Sequence, residues 1–203
     1  TLTGTLDGAF ALDLASTGVT TLAAEVGSNT KLANLTTNAG GSTVFEGTSL
    51  SVEGALTFGD EVTTAKESFF TKDGGTVRFA NALTLGGGLG VDTTHGGASA
   101  AGADLTFEGI IATDSGATDP FDLTLTAGTD GKVDAQEKVD AQAVTVVSAG
   151  GATFDASGNS LDSIAATVGT LGLSLRNSQS LTVASGGITS EGAVDVRTSA
   201  GTL

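Results

Sequence analysis

The sequence lacks several residue types, and each absence excludes a kind of chemistry. Cysteine, methionine, tryptophan and tyrosine do not occur among its 203 residues, and proline occurs once. Without cysteine the chain forms no disulfide bond, builds no thiolate metal site and carries no cysteine nucleophile. Aromatic side chains are limited to nine phenylalanines, so few aromatic residues are available for a core.

Basic residues are scarce, and this restricts the partners of the chain. Eight lysines and arginines stand against 23 aspartates and glutamates, giving a formal net charge of −15. A surface of that charge repels nucleic-acid phosphates and anionic lipid headgroups. No apolar run approaches the roughly 20 residues of a membrane-spanning helix. We therefore expect neither nucleic-acid binding nor membrane insertion.

The composition nevertheless favours an ordered chain. Glycine is abundant, with 31 copies, but 39% of the residues are hydrophobic and only 15% are charged. Disordered chains combine low hydrophobicity with high charge, which is the opposite balance. We therefore expect the chain to fold.

A short apolar-polar-apolar unit recurs along the chain. Its two apolar side chains point to one side of an extended backbone and the polar residue points to the other, which is typical of a half-buried β-strand. Glycine-rich turns such as Gly86-Gly87-Gly88 follow many of the units. The units predict an all-β fold and place twelve residues in its core: Leu56, Phe58, Leu83, Leu85, Leu105, Phe107, Leu123, Leu125, Val144, Val146, Leu181 and Val183.

The spacing of these units predicts a parallel β-solenoid. The central threonines of successive units are separated by 27, 22, 18, 21 and 37 residues, which averages near 20 if the longest interval holds two coils; these threonines are Thr57, Thr84, Thr106, Thr124, Thr145 and Thr182. A repeat of about 20 residues is typical of stacked solenoid coils. The chain would then make about ten imperfect coils. The few aromatic residues and the near absence of helix signals also favour a solenoid over a sandwich.

One segment, residues 132–143, contains Lys-Val-Asp-Ala-Gln twice and is the only helix candidate. Its apolar residues Val133, Ala135, Val139 and Ala141 all fall on odd positions. That alternation indicates strands, since strand side chains alternate between two faces. We predict strand for this segment.

The repeated phrases also resemble a known family. Ala55-Leu56-Thr57-Phe58-Gly59-Asp60 and Ala82-Leu83-Thr84-Leu85-Gly86-Gly87 look like bacterial β-strand-repeat surface proteins, similar to filamentous-haemagglutinin-type adhesins and autotransporter passengers. The resemblance rests on rhythm and covers essentially the whole chain. It implies a right-handed parallel β-helix, export to the cell exterior or cell surface, and a role in adhesion, matrix or filament formation.

The resemblance leads to further expectations about organisation and partners. Residues 1–203 would form one continuous solenoid segment, and because the pattern is cut at both ends we expect a fragment of a much longer repeat protein. The partners would be further coils of the same chain or a second copy joined end to end. A host, matrix or carbohydrate surface would be the external partner.

We predict no enzyme activity and no catalytic, cofactor-binding or metal-binding residue. The only histidine is His95, in Asp92-Thr93-Thr94-His95-Gly96. Asp92 and His95 could ligate a metal, or His95 could act as a general base. A single histidine without cysteine needs carboxylates to complete a typical zinc site. We interpret His95 as an exposed loop residue.

Two alternatives remain open from the residues. Carboxylates gather in one Gly/Thr-rich stretch that could hold Ca²⁺ in a calcium-dependent adhesive module, although the glycine-aspartate calcium repeat is missing; they are Asp114, Asp119, Asp122, Asp130, Asp134 and Asp140. A polysaccharide-acting β-helix enzyme would need a carboxylate pair or a base in a cleft. It predicts acidic and basic side chains converging on one face.

Overall fold

The computed structural model describes residues 1–72, 74–116 and 120–203, and in these residues it forms strands, turns and bends without any helix. No segment of the described chain is therefore a membrane-spanning helix. The strands in chain order are β1 (Ala11–Leu14), β2 (Val19–Leu22), β3 (Asn34–Thr37), β4 (Ser42–Phe45), β5 (Ser49–Val52), β6 (Leu56–Phe58), β7 (Glu61–Thr64), β8 (Ser68–Lys72), β9 (Val77–Phe79), β10 (Leu83–Leu85), β11 (Leu89–Asp92), β12 (Leu105–Phe107), β13 (Ile111–Thr113), β14 (Leu123–Thr126), β15 (Lys132–Ala135), β16 (Asp140–Phe154), β17 (Ser160–Asn177), β18 (Thr182–Ser190) and β19 (Val194–Thr198).

All of the strand pairs are parallel, and they stack into three faces of a β-solenoid. Face 1 is the five-stranded sheet of β2, β4, β7, β10 and β13. Face 2 begins with β5, β8, β11 and β14, and face 3 begins with β1, β3, β6, β9, β12 and β15. The long strands β16 and β17 turn a corner and contribute to faces 2 and 3, so these two faces join into one 14-stranded sheet.

The register on face 3 defines nine coils. The paired positions are separated along the chain by 23, 21, 21, 28, 28, 19, 21 and 21 residues; they are Leu12, Leu35, Leu56, Val77, Leu105, Val133, Ala152, Leu173 and Val194. The predicted all-β solenoid with coils of about 20 residues is confirmed. There are fewer coils than ten because two of them carry excursions, between β11 and β12 and between β13 and β14.

The intervals between the central threonines do not measure the length of one coil, as the sequence suggested. Thr57 and Thr106 lie on face 3, Thr84 lies on face 1, and Thr124 and Thr145 lie on face 2. Most of the intervals therefore compare different faces. Only the 21-residue step from Thr124 to Thr145 joins paired positions in adjacent coils. The average was nonetheless near the coil length, because each face carries the same apolar-polar-apolar unit.

The interior is a continuous column of aliphatic and phenylalanine side chains. Eleven of the twelve predicted core residues are at most 3% exposed, which confirms the strand register. Val183 is the exception, with 43% of its surface exposed. It pairs with the fully buried Ile164 and lies on the last coil, so no further coil covers it. The prediction that Val183 is buried was therefore wrong.

Phenylalanine rings stack inside the solenoid. Phe58, Phe79 and Phe107 occupy equivalent positions in adjacent coils, and neighbouring ring centroids are 5.1 Å apart. Phe45 from face 1 meets Phe70 from face 2 edge to face, also at 5.1 Å. Because parallel coils repeat every ~4.8 Å, equivalent rings are held at stacking distance.

The segment 132–143 forms strands, as predicted. It contributes β15 and the beginning of β16, and Val133, Ala135, Val139 and Ala141 are all at most 2% exposed. Lysine, aspartate and glutamine occupy the intervening positions because these face outward.

Candidate functional site

The outward positions of face 3 form one column that crosses all nine coils. Threonine, serine, aspartate and arginine alternate along it; the residues are Asp13, Thr36, Thr57, Arg78, Thr106, Asp134, Thr153, Ser174 and Asp195. Short polar residues suit the exposed side of a pleated strand. The column gives the solenoid a polar outer surface on this face.

One ion pair on face 3 links adjacent coils. The Arg78 guanidinium donates two hydrogen bonds of 2.6 Å to the Glu108 carboxylate. These hydrogen bonds raise the pKa of Arg78 and lower the pKa of Glu108. Exposed pairs contribute little to stability, but the fork geometry holds the corner after β12 against β9.

A trough of about 490 Å³ crosses face 2 at the level of β11. Its floor is Gly88, Leu89 and Gly90, and its walls include Glu67 from the coil before and Asp122 from the coil after. The Ser68 amide donates to the Gly88 carbonyl, and the Leu89 amide donates to the Asp122 carbonyl, each at 2.9 Å. Glu67, Gly88 and Asp122 are therefore neighbours in three successive coils.

The two carboxylates of this trough are exposed and have no hydrogen-bond or ion-pair partner among the described residues. Thr124 lines the same trough. From the sequence, Gly86-Gly87-Gly88 was predicted only as a turn, and this trough was not predicted. The alternating glycines at 88 and 90 around the apolar Leu89 were the available signal, since glycine inside a strand often marks a close approach of another group.

A second groove, of about 430 Å³, lies on face 3 and contains the acidic and basic side chains that the enzyme alternative requires on one face. Asp104, Lys132 and Asp134 line it together with the exposed Leu171. The Asp104 carboxylate accepts the backbone amide of Lys132 at 2.9 Å. The Asp134 carboxylate accepts a hydrogen bond from the side-chain amide nitrogen of Gln136 at 3.1 Å. Both carboxylates therefore stabilise the local structure around them through these hydrogen bonds.

The structure brings Asp92 and His95 into one loop but gives them different partners. Asp92 is 5% exposed, and its carboxylate accepts the amide and hydroxyl of Thr94 and the amide of Gly96 at 2.6 to 2.7 Å. His95, half-buried, has a positive φ of 52° and both ring nitrogens 3.1 Å from the Lys31 ammonium. Asp92 therefore shapes the loop, while a cation occupies the nitrogen edge of His95.

The acidic stretch considered for calcium does not converge in the part of the chain that the structure describes. Asp122 lies on face 2, Asp134 on face 3, and Asp140 at the corner that begins β16. Asp119 lies outside the described residues. No group of three or more histidine, aspartate or glutamate side chains that could hold a metal ion occurs in residues 1–72, 74–116 and 120–203.

The two terminal coils expose side chains that interior coils bury. β1 pairs only with β3, and β19 pairs only with β17, so each has an unpaired strand edge. Apolar residues between 39% and 69% exposed lie on these coils: Leu2, Phe10, Val183, Val194 and Leu203. A further coil placed on either end would cover them.

Compared with known proteins, the sequence matches no protein-family model, no curated protein and no solved structure. The similarity to bacterial surface repeats is therefore a prediction from the residue pattern.

Proposed function

We propose that this chain is a structural and adhesive segment of a large secreted or cell-surface bacterial protein. One observation carries the proposal: nine coils hydrogen-bond in register along continuous parallel sheets around one shared apolar interior. Unpaired parallel edges are templates for further strands. Further coils of the same chain, or a second copy placed end to end, would satisfy them.

The mechanical role follows from how the coils are joined. Each coil pairs with its neighbours through parallel backbone hydrogen bonds and shares one apolar interior. Stability in such an array is shared between neighbouring units. At ~4.8 Å per coil the described chain supplies a rod of about 40 Å, suited to a stalk or filament scaffold. The net charge of −15 opposes side-by-side association of such rods in solution.

Electron microscopy of the native, full-length material from the cell exterior tests this proposal. We expect long thin rods or filaments whose width matches a single solenoid. Antibodies raised against this segment should label intact cells without permeabilisation. Compact discrete particles, or labelling only after permeabilisation, would contradict the scaffold role and make the groove at Asp104 and Asp134 the first place to search for enzyme activity.

A further inference from the structure

The corner between β11 and β12 carries a loop, residues 93–103, which we call the strap. One side chain joins its two ends: the Thr93 hydroxyl donates to the Ala103 carbonyl and accepts the Ala103 amide, each at 3.0 Å. Thr93 is fully buried at this base, and the Asp92 carboxylate beside it accepts the amide and the hydroxyl of Thr94. A surface loop of this length whose ends meet is a compact unit. The strap is therefore a closed loop attached to the solenoid at its base.

The strap is hydrogen-bonded to the corner of the next coil, which lies between β14 and β15. The Thr129 amide donates to the Ala100 carbonyl at 3.0 Å. The Asp130 amide donates to the Ala101 carbonyl at the same distance. These bonds use the backbone of the strap itself, so they hold the strap against the solenoid along its returning half.

Two glycines allow the backbones of the strap and of this corner to touch. Gly102 has a φ of 62° and Gly128 a φ of 78°, in the left-handed region that favours glycine. A Cβ at Gly102 would collide with the Ala127 carbonyl, and a Cβ at Gly128 would collide with the Ala101 carbonyl. The contact between the two segments therefore requires glycine at both positions, in addition to the turn that each glycine makes.

The strap also reaches back towards the first coils. Both ring nitrogens of His95 lie 3.1 Å from the Lys31 ammonium. Lys31 directly precedes Leu32, which pairs with Val52, so it belongs to the corner before β3. The strap precedes β12, and β6 and β9 lie between β3 and β12 in the sheet. The contact from His95 to Lys31 therefore spans coils that share no strand pair.

We propose that the strap is a mechanical clamp that makes the coils from β3 to β14 come apart as one block. In a stack of repeats each unit contacts only its neighbours, so coils can peel away from an end one at a time. A closed loop that is bonded both to the corner before β3 and to the corner before β15 couples these coils to one another. The use of such a clamp under tension rests on the proposed scaffold role, whereas the coupling is a property of the fold.

Single-molecule force spectroscopy on the whole chain, with its two ends pulled apart, tests the clamp. We expect residues 31–130 to be released in one step with a gain in length of about 300 Å, since an extended chain spans ~3.4 Å per residue. Coils that peel singly would give steps of about 70 Å each. Release of the wild type coil by coil would overturn the clamp even if electron microscopy shows rods. A single large step from material that forms compact particles would support the clamp and contradict the scaffold.

Matched variants separate the clamp from the strand pairing beneath it. Gly102→Ala should displace the strap from Ala127 and divide the single step into several smaller ones. Gly97→Ala is the control, because Gly97 lies in the same strap with a φ of 91° but a Cβ there would meet nothing within 4 Å. The control should keep the single step.

Thr93→Val provides an independent test, because it removes the hydroxyl that closes the base of the strap and keeps the shape of the side chain. It should also divide the step, and it remains informative if Gly102→Ala fails to fold. If Thr93→Val releases residues 31–130 in one step, as the Gly97→Ala control does, the strap does not couple the coils and the proposal is wrong.

Discussion

Single polar side chains fasten one coil to the next at the corners of the solenoid. Glu25 accepts hydrogen bonds from the amides and hydroxyls of both Thr48 and Ser49, at 2.5 to 3.0 Å. Asp7 accepts the amide and the side-chain nitrogen of Asn29 in the same way. A parallel strand leaves donors unpaired where it ends, and these carboxylates satisfy them.

Glu25 should make part of the stability dependent on acid pH. Partial burial raises the pKa of its carboxyl, but the hydrogen bonds from Ser49 and Thr48 outweigh burial and lower the pKa from 4.5 to about 2. Because the folded state prefers the ionised form, this stabilisation is complete above about pH 4.5 and is lost as the pH falls towards 2. We expect Glu25→Gln to flatten the free energy of unfolding over this window in urea titrations at successive pH values.

Glu137→Gln is the control for this measurement, because Glu137 is exposed and its removal eliminates the same charge. The control should keep the pH dependence of the wild type. If Glu25→Gln shows the same slope between pH 4.5 and 2 as the control, the hydrogen bonds at Glu25 do not contribute in the way described.

One buried hydroxyl weakens the core. The Thr64 hydroxyl has no hydrogen-bond partner among the described residues, and Thr64 is 0% exposed between Phe45 and Leu85 of adjacent coils. Valine has the same shape without the polar atom, so Thr64→Val should raise the free energy of unfolding by about 1 kcal/mol. Thr63→Val changes an outward position of the same strand and should shift it by less than ~0.5 kcal/mol. Urea denaturation of both variants compares them, and a loss of stability in Thr64→Val would contradict the assignment.

At the scale of elements, the phenylalanine stack ties faces 2 and 3 together. Phe79 on β9 has its ring 5.1 Å from those of Phe58 and Phe107 and 6.5 Å from that of Phe70. All four side chains are at most 1% exposed. A gap in the middle of this stack cannot be filled by neighbours, since the strand spacing fixes their positions.

Phe79→Ala should therefore lower the free energy of unfolding by about 3–5 kcal/mol, the usual result of emptying a large aromatic site in a core. Phe10→Ala is the matched control, because Phe10 is 41% exposed on the first coil, and should lower it by less than ~1 kcal/mol. Equilibrium unfolding in urea measures both. If the two variants lose similar amounts of free energy of unfolding, the packing of the phenylalanine stack does not contribute to stability in the way described.

At the scale of the whole molecule, strand pairing between coils and a shared apolar interior hold the solenoid together. Its acidic residues are distributed over all three faces and the corners between them. We therefore expect thermal unfolding to be unaffected by a calcium chelator when ionic strength is held constant, because strand pairing and apolar packing need no ion. A fall in Tm with chelator that added Ca²⁺ reverses would support the calcium-dependent adhesive module instead.

The sequence determined the local structure, the average coil length and most of the core by itself. Alternation such as Leu105-Thr106-Phe107 is a property of neighbouring residues, so it predicts a strand independently of the rest of the chain. The strand pattern in residues 132–143 was predictable for the same reason. Thr57 and Thr84 lie on different faces, so their interval is not a coil length. The average of the threonine intervals was still close to the coil length, because every face uses the same apolar-polar-apolar unit.

Only the tertiary structure decided which strands share a face and which side chains meet between coils. Two coils are longer than the others, with 28 residues each, so the interval between equivalent positions is not constant. No fixed interval therefore identifies neighbours such as Glu67, Gly88 and Asp122. The exposure of Val183 depended on the absence of a covering coil, which its own sequence does not record. Strand pairs between coils join residues 19 to 34 positions apart, and short-range patterns carry no information about such contacts when the loops between strands vary in length.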